Sequence, residues 1–176
     1  MITELKWEST KVSWIKNKKI EVTLSDVFLV TVDQENLIHI KCGENFKEEQ
    51  EYIYDVNGNM IFYFNLLQKE IEWNYAEKKH RINDLDFQQV IPFMSKNKIM
   101  ILLKSQKILV YSLSNEKIFE VNSPYGYKIK YLSSIDNKMV AVCDGDDNHY
   151  DKFGRNRINF YINKITGELN QGNLSY

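Results

Sequence analysis

The sequence has few of the residues that mark fibrous, disordered or disulfide-rich chains. Its 176 residues include only two prolines, seven glycines and two cysteines. Low proline and glycine content argues against disorder and against fibrous repeats. Cys42 and Cys143 lie far apart without CxxC spacing, which predicts two buried thiols in a reducing cytoplasm.

Long apolar runs and a leader pattern are also missing. The longest apolar stretches, such as residues 99–103, are too short to span a bilayer, and MITELKWEST lacks the basic and then apolar pattern of a signal peptide. We therefore expect a cytoplasmic protein that does not associate with membranes.

The sequence shows neither a strong net charge nor a catalytic signature. Lys and Arg number 23 against 24 for Asp and Glu, so the net charge is -1 and nothing draws the whole chain toward nucleic acid. There is no GxSxG elbow, glycine-rich phosphate loop, HExxH motif or Cys/His ligand cluster. We expect no cofactor, no catalysis and no direct nucleic-acid binding.

Short apolar and β-branched runs separated by polar turns dominate the sequence. Between Asn97 and Val121 the runs KIMILLK, KILVYSLS and KIFEV are separated by two-residue turns, a pattern typical of consecutive antiparallel hairpins. Similar runs along the whole chain predict sixteen strands and an all-β fold.

Residues 66–86 allow more than one interpretation. Lys69 to Tyr75 alternates apolar and polar residues as a strand does, and we assign it as one. A helix over residues 66–80 is the alternative, because Leu67, Ile71 and Tyr75 are also spaced four residues apart. Residues 76–86 are predicted to form a loop.

The predicted strands fall into four groups of four, at 1–34, 35–76, 87–122 and 127–176. The second strands of the groups start near residues 11, 51, 97 and 138, close to the roughly 40–45-residue period of four-stranded propeller blades. The segments IYDVNGNMIF, VYSLSNEKIF and FYINKITGEL each place an aromatic residue and a polar turn before an apolar strand.

On this spacing the chain resembles the β-propeller repeats of the WD40, kelch and quinoprotein-like groups, at the level of blade architecture. The resemblance implies antiparallel meanders in a single four-bladed domain, residues 1–176, that is monomeric. A β-sandwich or an irregular barrel is the alternative fold. A frame of three blades and an N-terminal half blade, with 66–86 inserted, would instead predict a dimer.

The densest polar segment runs from Asp144 to Asp151. Asp144, Asp146 and Asn148 are spaced like the first oxygen ligands of a calcium loop. His149 stands where that loop needs glycine, and Arg155 stands where it needs a bidentate glutamate. A solvated acidic loop is one interpretation of this segment. The other, on which the binding face below is built, is an acidic protein-binding loop with no metal.

We expect the loops 76–86 and 144–156 to form one binding face. The acidic loop from Glu44 to Glu51 lies on the opposite face in this frame. The candidate partner-binding residues are Asp144, Asp146, Asp147, His149, Tyr150, Asp151, Phe153, Lys78, Lys79 and Arg81.

These features favour a non-enzymatic protein-binding scaffold, for example an inhibitor or immunity-type protein that neutralises a basic toxin such as a nuclease. One alternative is a small propeller enzyme or lectin-like module that acts on glycans, with Asp84 and Asp86 as paired carboxylates. Another is a structural subunit of a homo-oligomer.

The tryptophans and two of the histidines are assigned structural positions and no role in binding. Trp7, Trp14 and Trp73 lie in the apolar phase of predicted strands, which indicates core packing rather than sugar stacking. His39 is assigned to the surface, and His80 to a solvated basic loop.

Overall fold

A computed structural model of the protein describes residues 2–175. Within them the chain forms two compact units that divide between Leu85 and Asp86. Both units are built from antiparallel strands. The described chain also has three short 3₁₀ segments, one in the first unit at Glu44–Phe46 and two in the second at Met94–Lys96 and Asp147–His149. No helix in this part of the chain is long and apolar enough to cross a bilayer.

The first unit contains nine strands in two sheets. β1–β3 form one sheet and β4–β9 form the other, each in sequence order. The strands are β1 (Thr3–Glu8), β2 (Lys11–Ile15), β3 (Lys19–Thr23), β4 (Val27–Val32), β5 (Ile38–Cys42), β6 (Gln50–Tyr54), β7 (Met60–Asn65), β8 (Glu70–Tyr75) and β9 (Lys78–Asn83).

The two sheets of the first unit share one core. Val12 and Trp14 of β2 pack with Val27, Ile38 and other buried residues of the six-stranded sheet. Alternation in β2 and β5 produces this arrangement, because every second side chain points to the same face of a strand. The buried indole of Trp14 still donates its Nε1 proton to the Val56 carbonyl at 3.0 Å.

The second unit contains eight strands in two four-stranded meanders. β10–β13 form one sheet and β14–β17 the other. The strands are β10 (Phe87–Phe93), β11 (Lys98–Leu103), β12 (Lys107–Ser112), β13 (Lys117–Asn122), β14 (Tyr127–Ile135), β15 (Lys138–Gly145), β16 (Arg157–Ile162) and β17 (Leu169–Leu174).

One apolar core joins the two sheets of the second unit. Met100, Leu102 and Ile108 from one sheet pack in the same cluster as Ala141 and Phe160 from the other. Ile99, Ile101, Val140 and Val142 are also fully or almost fully buried, on the opposite phase of the same strands. Both faces of β11 and β15 are therefore excluded from solvent, as their continuous apolar runs predict.

The all-β prediction is confirmed, and each of the sixteen predicted strands is present. The expected groups 87–122 and 127–176 correspond to the two four-stranded sheets of the second unit. The expected single domain and the closed ring of four blades stay predictions. Among the described strands no sheet closes on itself, because the two end strands of each sheet do not pair with each other.

The predicted boundary between the first two blades is wrong. β4 pairs with β5, not with β3, so the sheet break falls after Thr23 and the groups 1–34 and 35–76 do not exist as such. The segment after Val32 is a hairpin turn. The Asp33 carboxylate closes it by accepting the N–H groups of Glu35 and Leu37, each at 2.9 Å.

The prediction of a loop at 76–86 is also wrong, because this segment contains β9, the one described strand that was not predicted. β9 pairs with β8 from Tyr75–Lys78 to Glu70–Asn83. Two positive φ angles, 49° at Ala76 and 61° at Glu77, form the turn between the strands. The same pairing rules out the alternative helix over residues 66–80.

Two of the three tryptophans lie in the core as predicted. Trp14 and Trp73 are fully buried, whereas Trp7 is 44% exposed. Trp7 lies on β1, which pairs only with β2 and forms an edge of its sheet. An edge strand leaves one side of the ring open to solvent, so the core prediction is wrong for Trp7.

Each unit holds one free, buried cysteine, as predicted. Cys42 belongs to the core of the first unit, and Cys143 to that of the second. Burial, with a smaller effect of Asp26, raises the pKa of the Cys42 thiol to about 11. Burial and the neighbouring Asp144 raise the pKa of Cys143 to about 12.

The core of the second unit predicts a large stability difference between two isoleucines. Ile108 is fully buried, whereas Ile165 is 76% exposed. Ile108→Ala should lower the free energy of unfolding by about 2–5 kcal/mol, because it leaves a cavity. Ile165→Ala should change it by about 0.5 kcal/mol or less. Urea unfolding of both variants measures the difference, and equal effects would contradict the assigned core.

Candidate functional site

The candidate site is the long connection between β15 and β16. Asp144 and Gly145 still pair within the sheet, so the loop proper comprises residues 146–156 and is shorter than the predicted 144–156. A 3₁₀ turn at Asp147–His149 occupies its first part. The loop lies beside the turn at residues 123–126, because Asp146 donates its N–H to the Gly126 carbonyl at 2.8 Å.

Asp144 is bound to cations of its own sheet. Its two carboxylate oxygens accept hydrogen bonds from Nε and Nη2 of Arg157, at 2.7 and 3.2 Å. The Lys130 ammonium lies 3.7 Å away. Arg157, with Lys130 as a weaker contributor, holds the pKa of Asp144 below its usual range. Asp144 therefore stabilises the end of the sheet and offers little free charge to a partner.

Asp151 organises the second half of the loop. Its carboxylate accepts Nε and Nη2 of Arg155 at 2.8 and 2.7 Å, and also the N–H groups of Phe153 and Arg155. These hydrogen bonds, led by the Arg155 side chain, lower the pKa of Asp151. The carboxylate thereby closes a turn around residues 151–155.

Asp146 and His149 fix the first half of the loop to the sheet. Asp146 Oδ1 lies 2.6 Å from His149 Nδ1 and accepts the N–H of Asn148; the histidine contact is the main reason that the pKa of Asp146 is lowered. The His149 ring packs 4.3 Å from the ring of Tyr127. A Cβ at Gly126, where φ is +76°, would overlap that imidazole, so glycine is needed there.

Asp147 is the loop carboxylate that remains available. In the described chain it forms no ion pair, whereas Asp144 and Asp151 are paired with arginines and Asp146 is hydrogen-bonded to His149. Two of the four aspartates in the predicted acidic segment are therefore paired with arginines, Asp144 with Arg157 and Asp151 with Arg155.

Exposed aromatic side chains are the most prominent feature of this end of the second unit. Tyr125 is 99% exposed, Phe153 68% and Tyr150 52%. Lys152 Nζ and Arg155 Cζ lie 4.9 and 5.0 Å from the centre of the Phe153 ring. Tyr125 and Tyr150 lie on the two connected loops at one end of the β14–β15 pair, so they can contribute to one surface.

The predicted basic residues Lys78, Lys79 and Arg81 lie on β9 in the first unit rather than in a loop. Lys79 Nζ is 2.7 Å from Glu72. Arg81 contacts Glu70 and also Glu72, the latter at 3.5 Å. These ion pairs join β8 to β9, so Lys79 and Arg81 have a role in strand pairing.

His80, Asp84 and Asp86 also differ from the sequence interpretation. The His80 ring stacks on Trp73 with a centroid distance of 5.5 Å, so His80 belongs to a strand and not to a solvated loop. Asp86 forms an ion pair with Lys104 at 3.0 Å, within the second unit. Asp84 belongs to the first unit.

The calcium-loop candidates have other hydrogen-bond partners. Oxygens of Asp144 and Asp146 accept hydrogen bonds from Arg157 and from the Asn148 backbone. Across residues 2–175, no group of three or more His, Cys, Asp and Glu side chains is arranged to hold a metal ion.

Sequence reasoning missed the environment of His39. This half-buried imidazole on β5 lies between two carboxylates, with Nδ1 2.9 Å from Glu51 and Nε2 3.1 Å from Asp33. Burial alone would lower the pKa of His39, but the hydrogen bonds to Glu51 and Asp33 raise it overall. Nearby, Glu48 of the acidic 44–51 segment pairs with Lys41 at 2.6 Å.

The His39 cluster predicts a stability that declines at alkaline pH. Because the folded pKa is raised, the stabilisation is fully present below the unfolded value of about 6.5 and is lost as pH rises through the folded pKa. His39→Gln should therefore destabilise the protein most at pH 5.5 and least at pH 9. Urea unfolding across this range, with His80→Gln as control, measures the effect. A pH-independent difference would contradict the assigned ion pairs.

The Asp144–Arg157 pair predicts the opposite dependence. A lowered carboxylate pKa contributes stability above the unfolded value of about 3.9, and this stability is lost as pH falls through the folded pKa. Asp144→Asn should thus be less stable than the wild type by a constant margin from pH 5 to 8, and the margin should narrow below about pH 4. Asp147→Asn is the matched control and should show no such margin in thermal unfolding.

The chain matches no known protein family model, and a comparison with curated proteins finds no significant match.

Proposed function

We propose that this chain is a non-enzymatic protein-binding scaffold whose partner surface is formed by residues 123–126 and 146–156. The observation that carries the proposal is the exposure of Tyr125, Tyr150 and Phe153 on two connected loops. Aromatic side chains dominate the energetics of protein interfaces, whereas loops held on a rigid scaffold carry much of protein recognition.

The internal bonding of the loop supports this role. Asp151 fixes the turn that carries Phe153, and Asp146 with His149 fixes the turn that precedes Tyr150. A surface that is already ordered loses less conformational entropy on binding, so more of the contact energy appears as affinity.

A basic protein, such as a nuclease toxin neutralised by an immunity-type inhibitor, is the partner that we propose, with Asp147 as the carboxylate available for pairing. Lys152 and Arg155 beside Phe153 reduce the negative potential of the surface. We therefore assign affinity mainly to the aromatic residues and the association rate to the charge.

We also propose a propeller-like arrangement of the strands and a cytoplasmic location. Two consecutive four-stranded meanders packed on one core, as in the second unit, support blade-type construction. Two free cysteines without a disulfide support a reducing compartment.

A comparison of two triple variants tests the partner surface. Immobilised wild-type protein captures the partner from the native lysate, and the purified partner is then titrated against both variants. Binding should weaken by about a hundredfold or more in the triple variant Tyr125→Ala/Tyr150→Ala/Phe153→Ala, because each of the three substitutions removes a candidate hot spot. The control, Trp7→Ala/Phe46→Ala/Tyr75→Ala, removes three exposed aromatics of the first unit and should change the dissociation constant by about threefold at most. Equal effects of the two variants would contradict the proposed surface.

A single variant tests the contribution of the Asp147 charge to the association rate. Asp147→Asn removes the available carboxylate without breaking an ion pair of the loop. With a basic partner it should slow association at low salt and reduce the salt dependence of the rate, while the dissociation rate changes little. An unchanged association rate would remove the support for a basic partner.

A further inference from the structure

A second candidate site lies at the other end of the second unit. A cleft of about 350 Å³ opens where β15 begins and β16 ends, beside the start of β11. Four lysines line it: Lys96, Lys98, Lys138 and Lys164. The volume is in the range of small-molecule sites.

These lysines differ from most others in the same unit. Lys104, Lys107, Lys117 and Lys130 each have a carboxylate within salt-bridge distance. In the described part of the chain, the four cleft lysines have none. Asp136 also lines the cleft, and in the described chain no salt bridge joins it to these lysines. The lining thus carries four ammonium groups against one carboxylate, and a bound anion would offset this excess of positive charge.

Two of the four lysines lie against aromatic rings. Lys98 Nζ lies 5.4 Å from the centre of the Phe119 ring, and Lys138 Nζ lies 5.5 Å from that of Tyr161. Burial, and secondarily repulsion by Lys164, lowers the pKa of Lys98. Met139 and Ile162 add an apolar wall. The cleft therefore combines positively charged lysines with a small apolar patch that an organic group can contact.

We infer that this cleft binds a small organic phosphate of the nucleotide class, with the lysines on the phosphates and the apolar wall against the organic part. Lysine ammonium groups are effective point-charge partners of phosphate oxygens. The limited volume and the net charge of -1 for the chain favour a small ligand over a nucleic-acid strand. The site is independent of the proposed protein-binding surface.

Calorimetric titration of the full chain tests the inference with four probes: ADP, inorganic pyrophosphate, adenosine and a single-stranded oligonucleotide. ADP should bind with one site per chain, pyrophosphate more weakly, and adenosine not detectably. The test variant is Lys98→Gln/Lys164→Gln. The control, Lys18→Gln/Lys128→Gln, removes the same charge from two exposed lysines outside the cleft. The test variant should lose about tenfold or more in ADP affinity, since charged hydrogen bonds are removed, and the control about twofold at most.

Several outcomes would overturn the inference. Absence of ADP and pyrophosphate binding at millimolar concentration would exclude an anion site. Equal loss in both variants would show that binding follows overall charge rather than the cleft. Pyrophosphate binding as tight as that of ADP would remove the organic part of the ligand from the proposal, and tighter binding of the oligonucleotide would replace a small-molecule site with a strand-binding surface. Thermal unfolding without ligand confirms that both variants are folded.

Discussion

Every sheet of the described chain depends on pairing between strands that are neighbours in sequence. The order is sequential in all four sheets, so each turn decides which strands meet and in which register. Side chains with amide or carboxylate oxygens stabilise several of these turns: Asp33 between β4 and β5, Asp55 between β6 and β7, and Asn163 between β16 and β17 accept backbone N–H groups of their own loops. Because pairing is local, each turn directly sets the register of only the two strands that it joins.

Sixteen of the seventeen described strands were predictable from the sequence, whereas their division into sheets was predictable only in the second unit. Alternation and continuous apolar runs identify a strand by itself, and the Asn57–Gly58 pair is a familiar turn signal, with a positive φ at Gly58. The turn before β9 has positive φ at both Ala76 and Glu77 without glycine or asparagine, so β9 was missed. The hairpin at Asp33 looks in sequence like any polar link, and only the pairing of β4 with β5 shows that the sheet continues across it.

The same limit applies to the candidate sites, because the sequence does not show which charged side chains the fold brings together. The sequence places four aspartates, Tyr150 and Phe153 in one segment, which correctly locates a loop with exposed aromatics. It does not show that Arg157, thirteen residues after Asp144, neutralises that carboxylate across the sheet. The cleft lysines are scattered along the chain from Lys96 to Lys164, and only the packing of two sheets brings them together. β15 runs from the cleft at Lys138 to the aromatic loop at Gly145, so about 25 Å of buried strand separates the two sites.

The two cysteines give each unit its own chemical reporter. A thiol reacts with alkylating reagents through its thiolate, and both thiols have raised pKa values in cores that exclude the reagent. Modification of Cys42 therefore requires the first unit to open, and modification of Cys143 requires the second to open. Because the two positions fall in different proteolytic fragments, the time course of labelling at each would show whether the units open together or one after the other.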